Sequence, residues 1–405
     1  MKNNPQDFRP EKNSERLVSL DAFRGFVMLG LASGAYYLNL LGNKTEIPWL
    51  SEFLRYQTSH APWTGCAAWD LVQPFFTFIV GVAMPFSYAS RKARGDSEAR
   101  IARHVLWRAI LLIFLGVYLR SFGAPQTYFS FEDVVSQIGL GYGFVYLTLG
   151  RGFRVQAMVA AAILVGYYLL FALWPQPTPE DAAAMALPQD WQQFQGFAAH
   201  WNKGANPAGY FDQWFLNLFP RQHDWTFHGG GYVTLSFIPC IPTMIFGVMA
   251  GELLRGARAA SEKCRVLVKY GCAGLVFGLL VDGHIWPFFD FDWSIAPIVK
   301  RIWTPSFTIF STGWALLTLA AFYWTIDVRG YKKWSFVFVV VGMNPITIYF
   351  MLSQTSGYIG RNLETHLPLT HLFGESGDVI RQLLVPAIMW WILYFMYRRK
   401  WFVRL

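Results

Sequence analysis

The chain has 405 residues, of which 54% are hydrophobic, 18% aromatic and 15% charged. Soluble domains carry about 25% charged residues, so this composition excludes an ordinary soluble protein, and it excludes disordered, collagen-like and disulfide-stapled chains as well. The net charge of +9 comes from short basic clusters between apolar segments, a pattern typical of membrane topology and not of a nucleic-acid partner. The sequence therefore predicts an all-helical, polytopic protein in a lipid bilayer, with residues 1–405 forming one transmembrane domain.

Apolar windows of roughly 20 residues mark the helices that can cross a bilayer. In chain order the sequence predicts ten such spans: 17–41, 70–90, 104–121, 133–150, 153–174, 232–254, 264–287, 304–326, 333–353 and 379–397. No small-residue cleavage site follows the first span, which we interpret as a retained helix and not as a signal peptide. Residues 1–16 are polar and predict a cytoplasmic segment, whereas 175–231 predicts a long outer, periplasmic loop.

Basic residues distinguish the two sides of the membrane. With the N-terminus inside, the inner segments hold 22 Lys and Arg residues and the outer segments hold seven. Because Lys and Arg concentrate in cytoplasmic segments, we predict that both termini face the cytoplasm.

Asp21 and Arg24 are ionisable residues within the first span, spaced so that they can pair on one helix face. Either a structural ion pair or a contact with a phosphate-bearing ligand explains them. Almost no other ionisable residue lies at the centre of a span, which disfavours a proton-driven pump.

The segment before the second span contains a histidine followed by a carboxylate. His60 opens a tight Pro-Trp-x-Gly turn, and Asp70 begins the span. An imidazole can act as a general base near neutral pH, and a carboxylate can fix its tautomer. A loop histidine is more often inert than catalytic, so the residues alone leave both interpretations open.

His228 and His284 are further candidates on the predicted outer side. The sequence contains no spacing typical of a metal site, so we predict no bound metal.

Several stretches of the chain resemble heparan-alpha-glucosaminide N-acetyltransferase and its bacterial relatives. The similarity runs from about residue 16 to 353, and its most specific part is the second of the following stretches. They are Ser19-Leu20-Asp21-Ala22-Phe23-Arg24-Gly25, His60-Ala61-Pro62-Trp63-Thr64-Gly65, Asp70-Leu71-Val72-Gln73-Pro74-Phe75-Phe76, Ile298-Val299-Lys300-Arg301-Ile302-Trp303-Thr304-Pro305-Ser306 and Gly342-Met343-Asn344-Pro345.

This resemblance implies a multi-pass acetyltransferase of a bacterial inner membrane. Such an enzyme takes acetyl from cytoplasmic acetyl-CoA and delivers it to an amino sugar on the outer side, with His60 as the catalytic residue and Asp70 beside it. Where the family has an asparagine near the outer end of the first helix, this chain has Ala35, with Asn39 one turn later. The family's Asp-Pro-Glu-Gly before the sixth helix is also replaced, so we expect glucosamine or another glucosaminide as the acceptor.

We predict acetyl-CoA binding near the cytoplasmic surface of the membrane and acceptor binding near the outer surface. We predict that Arg24, Arg108 and Asn344 bind acetyl-CoA, whose phosphates are anionic. Snorkelling anchors are an equally good interpretation of the two arginines. For the acceptor we predict Trp63, Asn39 and Lys300, although outer tryptophans also suit an interfacial aromatic belt. Phe-rich helix faces fit a homodimer or lipid contact equally well.

Other functions remain open on sequence grounds. His60 is either a base or a transient acetyl carrier. An O-acetyltransferase of envelope polysaccharide and a sugar transporter are the alternatives, although the two halves lack matching broken helices of the kind that inverted-repeat transporters contain.

Overall fold

A computed structural model describes residues 17–33, 39, 42–43, 45–283 and 294–403. Within these residues the chain is helical and contains no strand, which confirms the all-helical fold class. The predicted cytoplasmic segment 1–16 lies outside the described residues. The helices are α1 (Val18–Ser33), α2 (Pro48–Gln57), α3 (Val72–Ala93), α4 (Glu98–Ser121), α5 (Val134–Tyr146), α6 (Phe153–Ala172), α7 (Pro179–Ala184), α8 (Pro207–Leu216), α9 (Phe237–Arg255), α10 (Ala260–Asp282), α11 (Pro305–Phe322), α12 (Phe336–Gly342), α13 (Pro345–Gln354), α14 (Ser356–His366), α15 (Leu369–Phe373) and α16 (Glu375–Arg398).

Seven helices in the described part are long and apolar enough to cross a membrane, namely those built on α3, α4, α6, α9, α10, α11 and α16. Helices α12 and α13 make an eighth candidate only as a pair, because the chain bends by 80° between them. Pro345 begins α13, and its missing N–H and rigid ring favour this break. The described part of α1 has 16 residues and α5 has 13. A polytopic membrane protein is therefore supported, while ten spans and their orientation stay predictions.

Glycines bring pairs of helices into direct backbone contact. A Cβ added at Gly81 of α3 would lie 2.0 Å from the carbonyl oxygen of Met244 in α9, and Gly247 makes the same close approach from α9. Gly25 and Gly342 allow a similar contact between α1 and α12. Small residues let helices approach closely in lipid, where close packing supplies much of the association energy. These glycine contacts fix the helices that carry the polar residues described below.

The segment 175–231, which is predicted to lie on the outer side, is a folded layer that contains α7, a 3-10 turn at Gly196–Trp201 and α8. Its buried cluster includes Trp201, which packs with Phe171 of α6, Trp63 and Val299. The layer therefore connects the His60 segment to residues 294–304, which come much later in the chain.

We expect Gly81→Ala to lower the thermal unfolding midpoint of the detergent-solubilised protein, because the new methyl group would meet the Met244 carbonyl. Overpacking of this kind costs about 1–3 kcal/mol. Gly166 of α6 is the matched control, since an added Cβ there has no atom within 4 Å. Gly166→Ala should keep or slightly raise the midpoint through its helix propensity. Equal midpoints for the two variants would contradict the close contact of α3 and α9.

Candidate active site

His60 lies in the loop that joins α2 to α3, and its ring forms part of the wall of a cavity of about 470 Å³. The ring Nδ1 is 2.7 Å from Oδ1 of Asp70, which sits in the 3-10 turn Ala68–Leu71 at the start of α3. The structure thus brings together the histidine and the carboxylate that the sequence places ten residues apart.

The Asp70 carboxylate is 1% exposed and accepts several hydrogen bonds. Its Oδ2 accepts the backbone N–H of Ala61 at 3.1 Å and that of Ala67 at 3.0 Å. Its Oδ1 faces His60 and the ammonium group of Lys300, whose Nζ is 3.4 Å away. The Asp70 carboxylate therefore stabilises the loop that carries His60 and also pairs with Lys300 from a distant part of the sequence.

The position of Lys300 helps to determine which ring nitrogen of His60 carries a proton. Its Nζ is also 3.2 Å from Nδ1 of His60, but an ammonium group can only donate. The short contact between Nδ1 of His60 and the Asp70 carboxylate requires a proton between them, so we assign that proton to Nδ1. The ammonium group of Lys300 then donates its hydrogen bond to the Asp70 carboxylate and not to His60. Burial lowers the pKa of the Lys300 amine, and Asp70 opposes that shift. In this tautomer the Nε2 nitrogen of His60 carries the lone pair that can accept a proton.

Two residues without a predicted role lie beside Lys300, and one of them, Tyr232, lines the cavity. Arg301 donates to the carbonyl oxygens of Gly230, at 2.7 Å, and Ala61, at 3.3 Å. The ring of Tyr232 lies 5.9 Å from Nζ of Lys300 and 5.7 Å from the guanidinium carbon of Arg301. Arg301 belongs to a stretch that carries the family resemblance, whereas no sequence signal marks Tyr232.

The segment that presents Lys300 has a constrained backbone. Trp303 is buried and has a φ of 52°, a left-handed conformation that costs a bulky residue of order 1–3 kcal/mol. The Tyr167 hydroxyl donates to the Ile302 carbonyl at 2.9 Å, and the Val299 amide donates to Oγ1 of Thr304 at 3.0 Å. These bonds hold Lys300 in a fixed position beside Asp70.

Cys66 is a second nucleophilic group in the same loop. Burial raises the pKa of the Cys66 thiol well above its usual value, Asp70 adds to that effect and Lys300 opposes it. Because the thiolate is the nucleophile, this thiol is held in its unreactive form. Of the two predicted or nucleophilic groups in this loop, His60 is therefore the one whose reactivity burial does not suppress in this way.

The rest of the cavity combines apolar and polar walls. Met28, Phe76 and Tyr349 contribute apolar surface, and Trp69 lies next to His60 with its ring centre 6.2 Å from the imidazole. A further polar wall is formed by Arg120, Glu132 and Asp133.

The predicted acceptor-binding residues lie in different places. Lys300 lines the cavity, as described above. Trp63 is 3% exposed and donates its indole N–H to the Trp201 carbonyl at 3.0 Å. Asn39 donates to Oγ1 of Thr58 at 3.1 Å. The cavity lining includes neither Trp63 nor Asn39, and among the nearby tryptophans it includes Trp69.

The predicted CoA-binding residues lie outside this cavity. Arg24 contacts Asp21 at 3.4 Å and donates to the Gly342 carbonyl at 3.3 Å. Asn344 is fully buried, and its amide bonds to the Trp401 carbonyl at 3.0 Å and to the Val403 N–H at 2.9 Å, so both of its ends are engaged within the protein.

Arg108 has a different environment. Its guanidinium lies over the ring of Tyr142 at 5.1 Å, and its Nε is buried without a hydrogen-bond partner in the described part of the chain. Of the three predicted CoA-binding residues, Arg108 is the one that has a buried side-chain donor without a partner in the described part of the chain.

The remaining predictions concern two other histidines and the expectation that no metal is bound. Nδ1 of His228 accepts the Gly230 N–H at 2.9 Å, so this ring stabilises its own turn. His284 lies outside the described residues. Within the described residues, no group of three or more His, Cys, Asp or Glu side chains is placed to hold a metal ion.

Known proteins provide an independent comparison. No protein-family model matches the chain. It is similar to heparan-alpha-glucosaminide N-acetyltransferase from mouse (Mus musculus), 23% identical over 439 aligned positions that cover 98% of this chain and 62% of the mouse protein. The human (Homo sapiens) protein of the same name is 23% identical over 438 positions, covering 98% and 61%. The chain thus spans about three fifths of the length of these curated relatives. The resemblance predicted from the motifs is confirmed as a distant relationship.

We expect the Asp70 and Lys300 pair to behave as a unit in stability measurements. Asp70→Asn or Lys300→Met alone should lower the free energy of unfolding by about 3–5 kcal/mol, because each leaves a buried charge without its partner. The double variant should recover a large part of that loss. Thermal unfolding of the purified protein measures all three variants.

The exposed pair of Arg258 and Glu262 is the control, because its removal should change stability by less than about 1 kcal/mol. Strictly additive losses for the Asp70 and Lys300 variants would show that the two charges do not interact.

Proposed function

We propose that this protein is a transmembrane acetyltransferase that moves acetyl from acetyl-CoA to the amino group of glucosamine or a terminal glucosaminide. In this proposal it lies in a bacterial inner membrane, with the acceptor on the outer side. One observation carries the proposal: a buried carboxylate orients His60 at a cavity wall, in a helical membrane protein distantly related to two N-acetyltransferases.

The arrangement of His60 suits the chemistry of amide formation. An amine must lose a proton to become an amide, and Nε2 of His60 can accept that proton as the C–N bond forms. The thioester C–S bond breaks in the same transfer, and the imidazolium returns the proton to the departing thiolate. Asp70 stabilises the imidazolium and holds the tautomer, while Lys300 balances the charge of the carboxylate.

Arg108 is the residue best placed for the nucleotide end of acetyl-CoA. It stands on α4, whose later residues Gly116 and Arg120 line the cavity. Eight residues separate Arg108 from Gly116, which is about 12 Å along a helix towards the predicted cytoplasmic side. A guanidinium with a buried, unpartnered nitrogen favours a phosphate ligand. Arg24 is less suitable, because it already contacts Asp21 and the Gly342 carbonyl.

We expect His60→Ala to reduce acetyl transfer to glucosamine by about 10²- to 10⁴-fold, the usual contribution of a positioned general base. Binding of acetyl-CoA should be nearly unchanged. The assay follows label from acetyl-CoA into a product that survives mild alkali, as an amide does and an ester does not.

His223→Ala is the matched control, because this histidine is exposed in the outer segment and should keep wild-type activity. A His60→Ala variant that retains more than about a tenth of the wild-type rate would remove His60 from the chemistry. Label bound to wild-type protein without acceptor, and lost in His60→Ala, would assign the acetyl-carrier mechanism.

We expect Arg108→Ala to weaken acetyl-CoA binding by about tenfold or more, since a hydrogen bond to a charged group contributes roughly 1.5–3 kcal/mol. The loss should be larger at low salt, where charge contacts are less screened. Arg103→Ala is the control, because Arg103 is an exposed arginine on the same helix. Equal affinities of the two variants, measured by calorimetry, would exclude Arg108 from the CoA site.

A further inference from the structure

The wall formed by Arg120, Glu132 and Asp133 has no part in the mechanism above, although it lines the same cavity as His60. Arg120 and Glu132 form an ion pair at 3.1 Å. Asp133 follows directly, at the beginning of α5. Glu132 and Asp133 thus place two buried carboxylates beside the space that the acceptor would occupy, whereas Arg120 is about half exposed.

The two oxygens of Asp133 have different environments. Oδ1 accepts the backbone N–H groups of Val135 and Ser136, both at 3.0 Å, and so caps α5. Oδ2 is buried and has no hydrogen-bond donor within the described part of the chain, although the residue is only 9% exposed. A Cβ at Gly116 of α4, which also lines the cavity, would lie 2.5 Å from this oxygen.

An unpartnered carboxylate oxygen is costly to bury, since the loss of its hydrogen bonds to water is not replaced. A ligand in the cavity that carries hydrogen-bond donors would remove this cost. The cavity therefore favours a ligand with donor groups on the side opposite its reacting end.

We propose that Asp133, with Glu132 beside it, accepts hydrogen bonds from hydroxyl groups of the acceptor sugar and so positions its amine at His60. This inference rests on the proposed function. A sugar fits the surroundings because its hydroxyls are donors and its ring face can pack on aromatic groups such as Trp69 and Tyr232, which line the cavity. Asp133 is then a specificity-determining residue that is separate from the proton-transfer group.

Asp133→Asn tests the assignment, because asparagine retains the oxygen that caps α5 and is an equally good N-cap. We expect its KM for glucosamine to rise by about tenfold to a hundredfold, with kcat and acetyl-CoA affinity nearly unchanged. The KM for cyclohexylamine, an amine of similar ring size without hydroxyls, should stay the same. Asp190→Asn is the control, since Asp190 is an exposed carboxylate of the outer segment.

An unchanged KM for glucosamine in Asp133→Asn would overturn the inference. An equal rise for cyclohexylamine would overturn it as well, because a general disturbance of the site affects both amines. Direct binding of glucosamine, followed by tryptophan fluorescence, separates this inference from the proposed function. Binding that depends on Asp133 without any transfer would refute the acetyltransferase and support the sugar site, whereas absence of glucosamine binding to the wild type would refute the sugar site.

Discussion

The buried carboxylate of Asp70 is the interaction on which the site depends. It accepts the amides of Ala61 and Ala67, faces Nδ1 of His60 and pairs with Lys300. A charge this deeply buried is tolerated only when its partners are all present. The same bonds that stabilise the loop before α3 also fix the tautomer and orientation of the imidazole. Stability and chemistry are therefore coupled at this one group.

The length and composition of the chain were enough to predict the long helices, because a span of about 20 apolar residues has few alternatives. Length and composition did not predict the shape of two other segments. At 133–150 the structure has the 13-residue α5, and at 333–353 the chain bends between α12 and α13. Hydropathy averages over a window and does not register where backbone hydrogen bonding stops. Asn344 and Pro345 mark the second interruption, and Asn344 uses its amide there to hold the segment after α16.

The site was predictable where its residues are close in sequence. His60 and Asp70 belong to one short segment, so their pairing could be inferred from the spacing. Tyr232 and Asp133 reach the cavity from other segments, and only tertiary packing brings them there. Trp63 illustrates the opposite limit. A tryptophan close to the histidine in sequence suggests a surface on which a sugar ring can stack. The sequence does not show whether that side chain is exposed or buried, and in the structure the Trp63 indole is buried against Trp201.

The separation of 240 positions between His60 and Lys300 has a consequence for biogenesis. At about 5–20 residues per second, a ribosome makes the histidine and its carboxylate roughly 10 to 50 s before the lysine. During that interval the nascent chain holds an acidic group at the membrane surface without its cation, and the loop around it lacks the bonds from the later segment. The site is assembled only when that segment docks. A chain interrupted before residue 294 therefore contains His60 and Asp70 without Lys300 and without the bonds that the later segment supplies.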